Sequence, residues 1–332
     1  KDADGPPVIW RPKRSVVEQS HLFSLMKELN LSNYRELHHW TVEHREEFWA
    51  KAIHKLGVVF KTLPSEVVAF KKHSTSVSVE SPGWLKGSKL NIADSCFTAP
   101  PTQTAIVFRD EADPQQRLRR VTFGELLSLS NRIANGLVSA GFKIGDAIAI
   151  DMPMTMESVA IYLGIIKAGM VAVSIADSFP SMEIEKRLRI SKAVAAFTVE
   201  SFVRAGKKLQ LYKKMMSAKA PKVIVIPADG PFASAPANLR AGDLVWSSFL
   251  SANDHFDSVA CDPLTPTNVL FSSGTTGDPK AIPWTHLTPI KAAMDGFFHQ
   301  DIHQGDTVCW PTNIGWMMGP WLIYQLMNKA TV

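Results

Sequence analysis

Cysteine is scarce. The 332 residues hold three, Cys96, Cys261 and Cys309. They stand too far apart for a disulfide framework or a zinc ligand set, and so point to a reducing compartment. No secretory pattern opens the chain, which adds the expectation of a protein that is not secreted. A membrane span is also not expected. Val159 to Ala176 is the most apolar stretch, but Lys167, Gly164 and Gly169 interrupt it. It falls short of the ~20 apolar residues a spanning helix needs and reads as a buried helix followed by a buried strand. The 36 basic residues exceed the 31 acidic ones only slightly, giving +5. They are scattered, so no nucleic-acid-binding face is expected. The ten histidines form no zinc spacing, and neither repeats nor low-complexity runs occur.

What is present is the composition of a soluble globular protein, 45% hydrophobic and 20% charged, long enough for two domains or for one large α/β domain with an appendage. Residues 1–80 read as a helical appendage. Asn33 with Glu36 is a capping signal, and Phe48, Trp49, Ala52, Ile53 and Leu56 form one apolar helical stripe. Thr104–Arg109 and Leu118–Phe123 suggest a hairpin. Thr122 and Glu125 then make a capping box for a helix that turns Leu126, Leu129, Ile133 and Leu137 inward and stops at Gly141.

From Gly145 strands and helices alternate. Strands are expected at Ala147–Ile150, Met170–Ile175, Ala193–Thr198 and Lys222–Ile226, and helices at Met156–Ile166, Ser181–Ser191 and Ser201–Met216. Strict alternation argues a doubly wound parallel sheet covered on both faces. Pro227–Gly242 and Asp254–Pro266 read as surface connections, Thr285–Gln300 as a helix despite Pro289, and Thr307–Trp310 as a strand. The fold class is therefore α/β, with a helical amino-terminal appendage, a parallel-sheet subdomain and the start of a second α/β subdomain.

The stretch richest in chemistry runs from Asn268 to Lys280, Asn-Val-Leu-Phe-Ser-Ser-Gly-Thr-Thr-Gly-Asp-Pro-Lys. The apolar run Val269-Leu270-Phe271 suggests a buried strand that empties into a loop. Gly274 and Gly277 allow backbone N–H groups to turn toward one point. Ser272, Ser273, Thr275 and Thr276 add hydroxyls, and Lys280 adds a positive charge. Such a set suits a polyphosphate. It does not follow the Walker spacing.

The string resembles the phosphate loop of the adenylate-forming superfamily, Ser-Gly-Thr-Thr-Gly-x-Pro-Lys-Gly, with Ala281 at the last glycine. Further stretches resemble the acetyl-CoA synthetase branch: Tyr34 through Trp49, then Trp84, Gly87, Lys89, Leu90, Asn91 and Ile92, and Thr312 through Trp321. The last of these is similar to the Asp-x-Gly-Trp-x-Thr-Gly string that lines that branch's carboxylate pocket, with Asn313 in place of the acid and Met318 in place of a small polar residue. Lys280 to Thr285 looks most like the plant peroxisomal acyl-activating enzymes.

The resemblance implies two-step acyl activation. A carboxylate attacks Mg-ATP to give acyl-adenylate and pyrophosphate, and coenzyme A then displaces AMP. The implied cofactors are ATP, Mg2+ and coenzyme A, and the implied partner is a small carboxylic acid. Ser272, Ser273, Gly274, Thr275, Thr276, Gly277 and Lys280 would hold phosphates. Trp316, Met317, Met318 and Gly319 would line the acyl pocket, and Arg204 and Lys207, in Arg-Ala-Gly-Lys, would reach coenzyme A. Residues 1–80 would be the branch's amino-terminal region and 81–332 the first part of the AMP-binding domain. No catalytic residue and no metal ligand is identified. A peroxisomal or cytoplasmic setting is implied. Because the chain opens at Lys1 and closes inside the apolar run Ala330-Thr331-Val332, it reads as a piece of a longer protein. A truncated, non-catalytic nucleotide-binding paralogue is the other reading.

Overall fold

A computed structural model describes residues 8–69, 83–111, 113, 115, 117–272 and 277–332. Its centre is a seven-stranded sheet. The strands are, in chain order, β1 (Ala147–Asp151), β2 (Val171–Ile175), β3 (Ala195–Val199), β4 (Lys222–Ile226), β5 (Leu244–Val245), β6 (Pro266–Ser272) and β7 (Lys280–Thr285). Across the sheet they lie in the order β5-β4-β3-β1-β2-β6-β7. Every neighbouring pair is parallel except β6 with β7, which is antiparallel. The sequence announced neither edge strand, not the short β5 and not the longer β7. Strand β7 carries Pro283, which lacks an N–H and is tolerated at a sheet edge.

Residue alternation builds two cores. Ile148 and Ile150 of β1, with Ile224 and Ile226 of β4, enter one cluster, while Ala149, Val223 and Val225 enter the other. That is the period-two geometry of a strand buried on both faces. The helices Phe123–Ser139 and Met156–Lys167 cover the first face, and Ser181–Ser191 and Leu211–Ser217 cover the second. The capping box at Thr122 and Glu125 forms as the sequence suggests. Lys167, which interrupts the apolar stretch, is buried and donates to Asp94 Oδ1 at 3.0 Å, so its charge is compensated inside the protein. No helix among the described residues is long and apolar enough to cross a membrane.

Three segments depart from expectation. The amino-terminal helices are not set apart: Leu25, Leu37, Ala52, Ile53 and Leu56 join the same cluster as the first face of the sheet. The stripe on Arg45–Leu56 continues against Leu287–His299, where the Phe48 and Phe298 rings lie 5.6 Å apart. Ser201–Met216 is not one helix. Phe202–Arg204 and Lys207–Leu209 form an antiparallel hairpin, and only Leu211–Ser217 is helical. Ala205 and Gly206 take φ of +50° and +71°, a conformation that closes a two-residue hairpin and stops a helix. Thr307–Trp310 makes a single parallel bridge, from Thr307 to Thr331, rather than a strand. The helix expected over Thr285–Gln300 spans Leu287–His299, which leaves Pro289 in its first turn, where no N–H partner is lost.

Candidate functional site at the carboxyl edge of the sheet

Chain order reverses beside β1: β2 lies on one side of it and β3 on the other. In open α/β sheets such a reversal leaves a crevice beyond the strand carboxyl ends. Three of the segments singled out in the sequence meet along this edge.

The first is the phosphate-loop stretch. Strand β6 ends at Ser272, which lies opposite Lys280, the first residue of β7. The hydroxyl and the lysine therefore stand together at the base of the loop. Ser273, Gly274, Thr275 and Thr276 lie outside the described residues. Gly277 and Lys280 are exposed, and no ion pair among the described residues includes Lys280. Asp278 Oδ2 accepts from Arg189 at 2.7 Å, which ties the loop to the helix Ser181–Ser191. From the same helix the buried Arg187 packs its guanidinium 3.9 Å from the Phe179 ring centroid and 5.5 Å from that of Phe271.

The second is the Gly-Trp string. Gly315 lies against the end of β2 so closely that a Cβ would come within 2.1 Å of the Ala176 nitrogen. Gly319 is equally confined, 2.4 Å from the Asn313 carbonyl by the same construction. The buried Asn313 turns its Oδ1 onto the Gly315 N–H at 2.8 Å, so it shapes the local turn. Trp316 is half exposed and leans on Phe179, with ring centroids 5.7 Å apart. Met317 is exposed, and Met318 is partly buried where the helix Met318–Ile323 begins. An aromatic surface, Trp316 on Phe179 on Arg187, thus joins the string to the strand that carries the phosphate loop.

The third is the hairpin at Arg204-Ala205-Gly206-Lys207. Arg204 does not point freely into solvent. Its guanidinium grips the buried Asp177 with two bonds, Nη1 to Oδ1 at 3.0 Å and Nη2 to Oδ2 at 2.5 Å. Lys214 donates to the Asp177 carbonyl oxygen and lies 4.0 Å from Asp151 Oδ2. Asp151 ends β1, is fully buried, and neither carboxylate oxygen has a hydrogen-bond partner among the described residues. Burial pushes its pKa up to about 7, with Lys214 opposing and Asp177 adding to the rise. The Gly206 N–H donates to Glu111 at 3.1 Å, while Lys207 is exposed and enters no ion pair among the described residues.

Asp151, Asp177, Arg187 and Arg189 were not singled out in the sequence. An acid closing the apolar strand Ala-Ile-Ala-Ile-Asp was a legible signal for the first of them. Asp177 and Arg189 depend on partners distant in the chain, whereas Arg187 also pairs with Glu183 four residues before it. A separate cluster, His21, Asp301 and His303, has metal-ligand residue types. Its two imidazoles stack, centroids 4.0 Å apart and planes 24° from parallel, so their lone pairs run side by side rather than converging on one ion. It fastens the helix His21–Glu28 to the segment after His299.

The strand end and lysine that flank the Gly-Thr-Thr-Gly loop, the Gly-Trp string and the basic hairpin thus lie on one sheet edge. Residues 94–332 match the family model described as AMP-binding enzyme, and the chain belongs to that family. Among individual proteins, it is 38% identical to hexanoyl-CoA synthase from Cannabis sativa over 362 aligned positions, covering 100% of this chain and 48% of that protein. It is 39% identical to probable acyl-activating enzyme 18, peroxisomal, from Arabidopsis thaliana, covering 99% and 47%. The acetoacetyl-CoA synthetase structure from Streptomyces lividans superposes with a TM-score of 0.87 at 25% identity, over 98% of this chain and 51% of that one. The chain spans about half the length of these relatives.

Proposed function

We propose that the protein is an acyl-CoA synthetase, an acid–thiol ligase that uses ATP to convert a carboxylic acid to acyl-adenylate and then to acyl-CoA. The observation that carries this reading is the meeting of Ser272 and Lys280 with the Gly315–Trp316 segment and the Arg204–Lys207 hairpin on one edge of the sheet. Adenylation builds negative charge on the departing pyrophosphate. The Ser272 hydroxyl and the Lys280 ammonium are suited to stabilise it, with Ser273, Gly274, Thr275, Thr276 and Gly277 completing the loop. Their donor chemistry fits phosphate oxygens. Mg2+ is proposed only as the counter-ion that the triphosphate brings. Trp316, Met317, Met318 and Gly319 would face the acid. Lys207 and the hairpin that carries it would face the phosphates of coenzyme A.

The acid is proposed to be larger than acetate. Met317 and Met318 give that end of the site an adaptable, apolar lining. The hexanoyl-CoA synthase among the relatives supports the same direction. Residues 81–332 would form the first part of the AMP-binding domain and residues 1–80 its amino-terminal region. A peroxisomal setting is proposed from the names of two Arabidopsis relatives.

The test is acid-dependent exchange of pyrophosphate into ATP, followed by coenzyme-A-dependent release of AMP, measured on the full-length protein with acids from acetate to decanoate. Exchange with no acid of the series would refute the activity. Saturable ATP binding without any exchange would favour a nucleotide-binding paralogue.

A further inference from the structure

The hairpin Phe202–Leu209 is six paired residues closed by Ala205 and Gly206. A two-stranded ribbon of this size is marginal on its own and needs anchors. Two are present, both acids from elsewhere in the chain. Glu111 takes the Gly206 N–H at the turn. Asp177 takes both arms of the Arg204 guanidinium, with its own side chain 1% exposed and that of Arg204 44% exposed. A fork-to-fork pair of this kind fixes direction as well as distance. It also engages the arginine's charge: a guanidinium whose two terminal nitrogens already meet a carboxylate is poorly placed to seize an incoming phosphate. Across the hairpin from Arg204 stands Lys207, its direct pairing partner. Lys207 is exposed and, like its exposed neighbour Lys208, has no ion pair among the described residues, so its charge is open to an anion.

We propose that Asp177 is a positioning residue for coenzyme A recognition: through Arg204 it pins the hairpin to the end of β2, and Lys207 is thereby presented to the phosphate of the ligand. The inference rests on the acyl-CoA synthetase reading and divides the work of Arg204 and Lys207, which sequence resemblance treats alike. On one face of the ribbon Arg204 is held by Asp177, and Lys207 beside it keeps its charge unpaired among the described residues. Asp177 therefore aids the binding of an anion although it is itself an acid, and this fixes the sign of the test.

The experiment compares the full-length protein with Asp177→Asn, Arg204→Gln, the two combined, and Lys207→Ala. Steady-state AMP release is measured with coenzyme A and with 3′-dephospho-coenzyme A, and pyrophosphate exchange serves as a measure independent of coenzyme A. Asp177→Asn is expected to raise KM for coenzyme A by roughly tenfold or more, the scale of one lost charge-assisted contact, with kcat and exchange nearly unchanged. Adding Arg204→Gln to it should cost little more, because both changes cut the same tether. Lys207→Ala, at an exposed position where folding is not at stake, should raise KM for coenzyme A and leave that for the dephospho form. A lower or unchanged KM in Asp177→Asn overturns the proposal, since Asp177 would then be a competitor for Arg204 or a bystander. A further tenfold loss on adding Arg204→Gln also overturns it, since Arg204 would then bind the phosphate itself. Wild-type exchange without any response to coenzyme A refutes the ligase reading instead, and the inference with it.

Discussion

Gly315 offers the sharpest test of how the site is built. Replacing it by alanine adds one carbon. That carbon would lie 2.1 Å from the Ala176 nitrogen, 2.5 Å from the Ile175 carbonyl carbon and 2.6 Å from the Ala176 Cα. All three are backbone atoms at the end of a central strand, so no side chain can swing away. Ordinary contact begins at 3.4 Å, and the Gly-Trp segment must therefore retreat by more than ~1 Å. Overpacking of this kind costs about 1–3 kcal/mol of stability. The functional loss should be larger. Trp316 and the start of the helix Met318–Ile323 would be carried off the sheet edge, and a misplacement of about 1 Å in a positioning segment can reduce a rate roughly 100-fold. Thermal unfolding and acid-dependent pyrophosphate exchange on Gly315→Ala measure the two effects separately. Wild-type exchange at a wild-type unfolding temperature would show that the segment does not rest on β2, and the reasoning would fail with it.

Lys280→Ala should slow exchange by an amount equal to about 2–4 kcal/mol, the cost of one donor aimed at developing charge; a rate within about threefold of wild type would remove Lys280 from the mechanism. His286 is buried with its Nδ1 accepting the Ile92 N–H at 3.1 Å, and burial holds its pKa at about 4. The unfolded chain binds that proton below ~6.5, so stability should fall as pH drops from ~6.5 to ~4, by about 3 kcal/mol in all from this group. His286→Asn, which can keep the acceptor, should flatten the slope of urea midpoint against pH in that window; an unaltered slope would clear His286 of the effect. Met318→Thr should shift preference toward shorter acids by a factor equivalent to about 1–3 kcal/mol per methylene, and an unchanged ranking over the acid series would make Met318 packing alone.

Much of the fold was legible because its signals are local. The Thr122–Glu125 capping box, the helix Ser181–Ser191 and the strand Lys222–Ile226 stand where the pattern put them. Caps and apolar period act within a few residues, so the chain itself carries the instruction. The strand Val269-Leu270-Phe271 and the position of Lys280 just beyond its loop were readable for the same reason. Where local rules compete, reading failed. Ser201–Met216 has the length and polarity of a helix, yet Ala205 and Gly206 turn it into a hairpin, because Phe202 and Leu209 pair across that turn and Arg204 finds Asp177.

The sequence by itself determined most of the sheet's strands and covering helices and their apolar faces. Only the tertiary structure decided that Lys167 would be neutralised by Asp94, that Arg204 would be held by Asp177, that Gly315 would seat on Ala176, and that the amino-terminal helices would share the core of the sheet. Each of these is a pairing between segments far apart in the chain. Which strand neighbours which is settled by burying both faces of the whole sheet at once, and no short stretch of residues contains that sum.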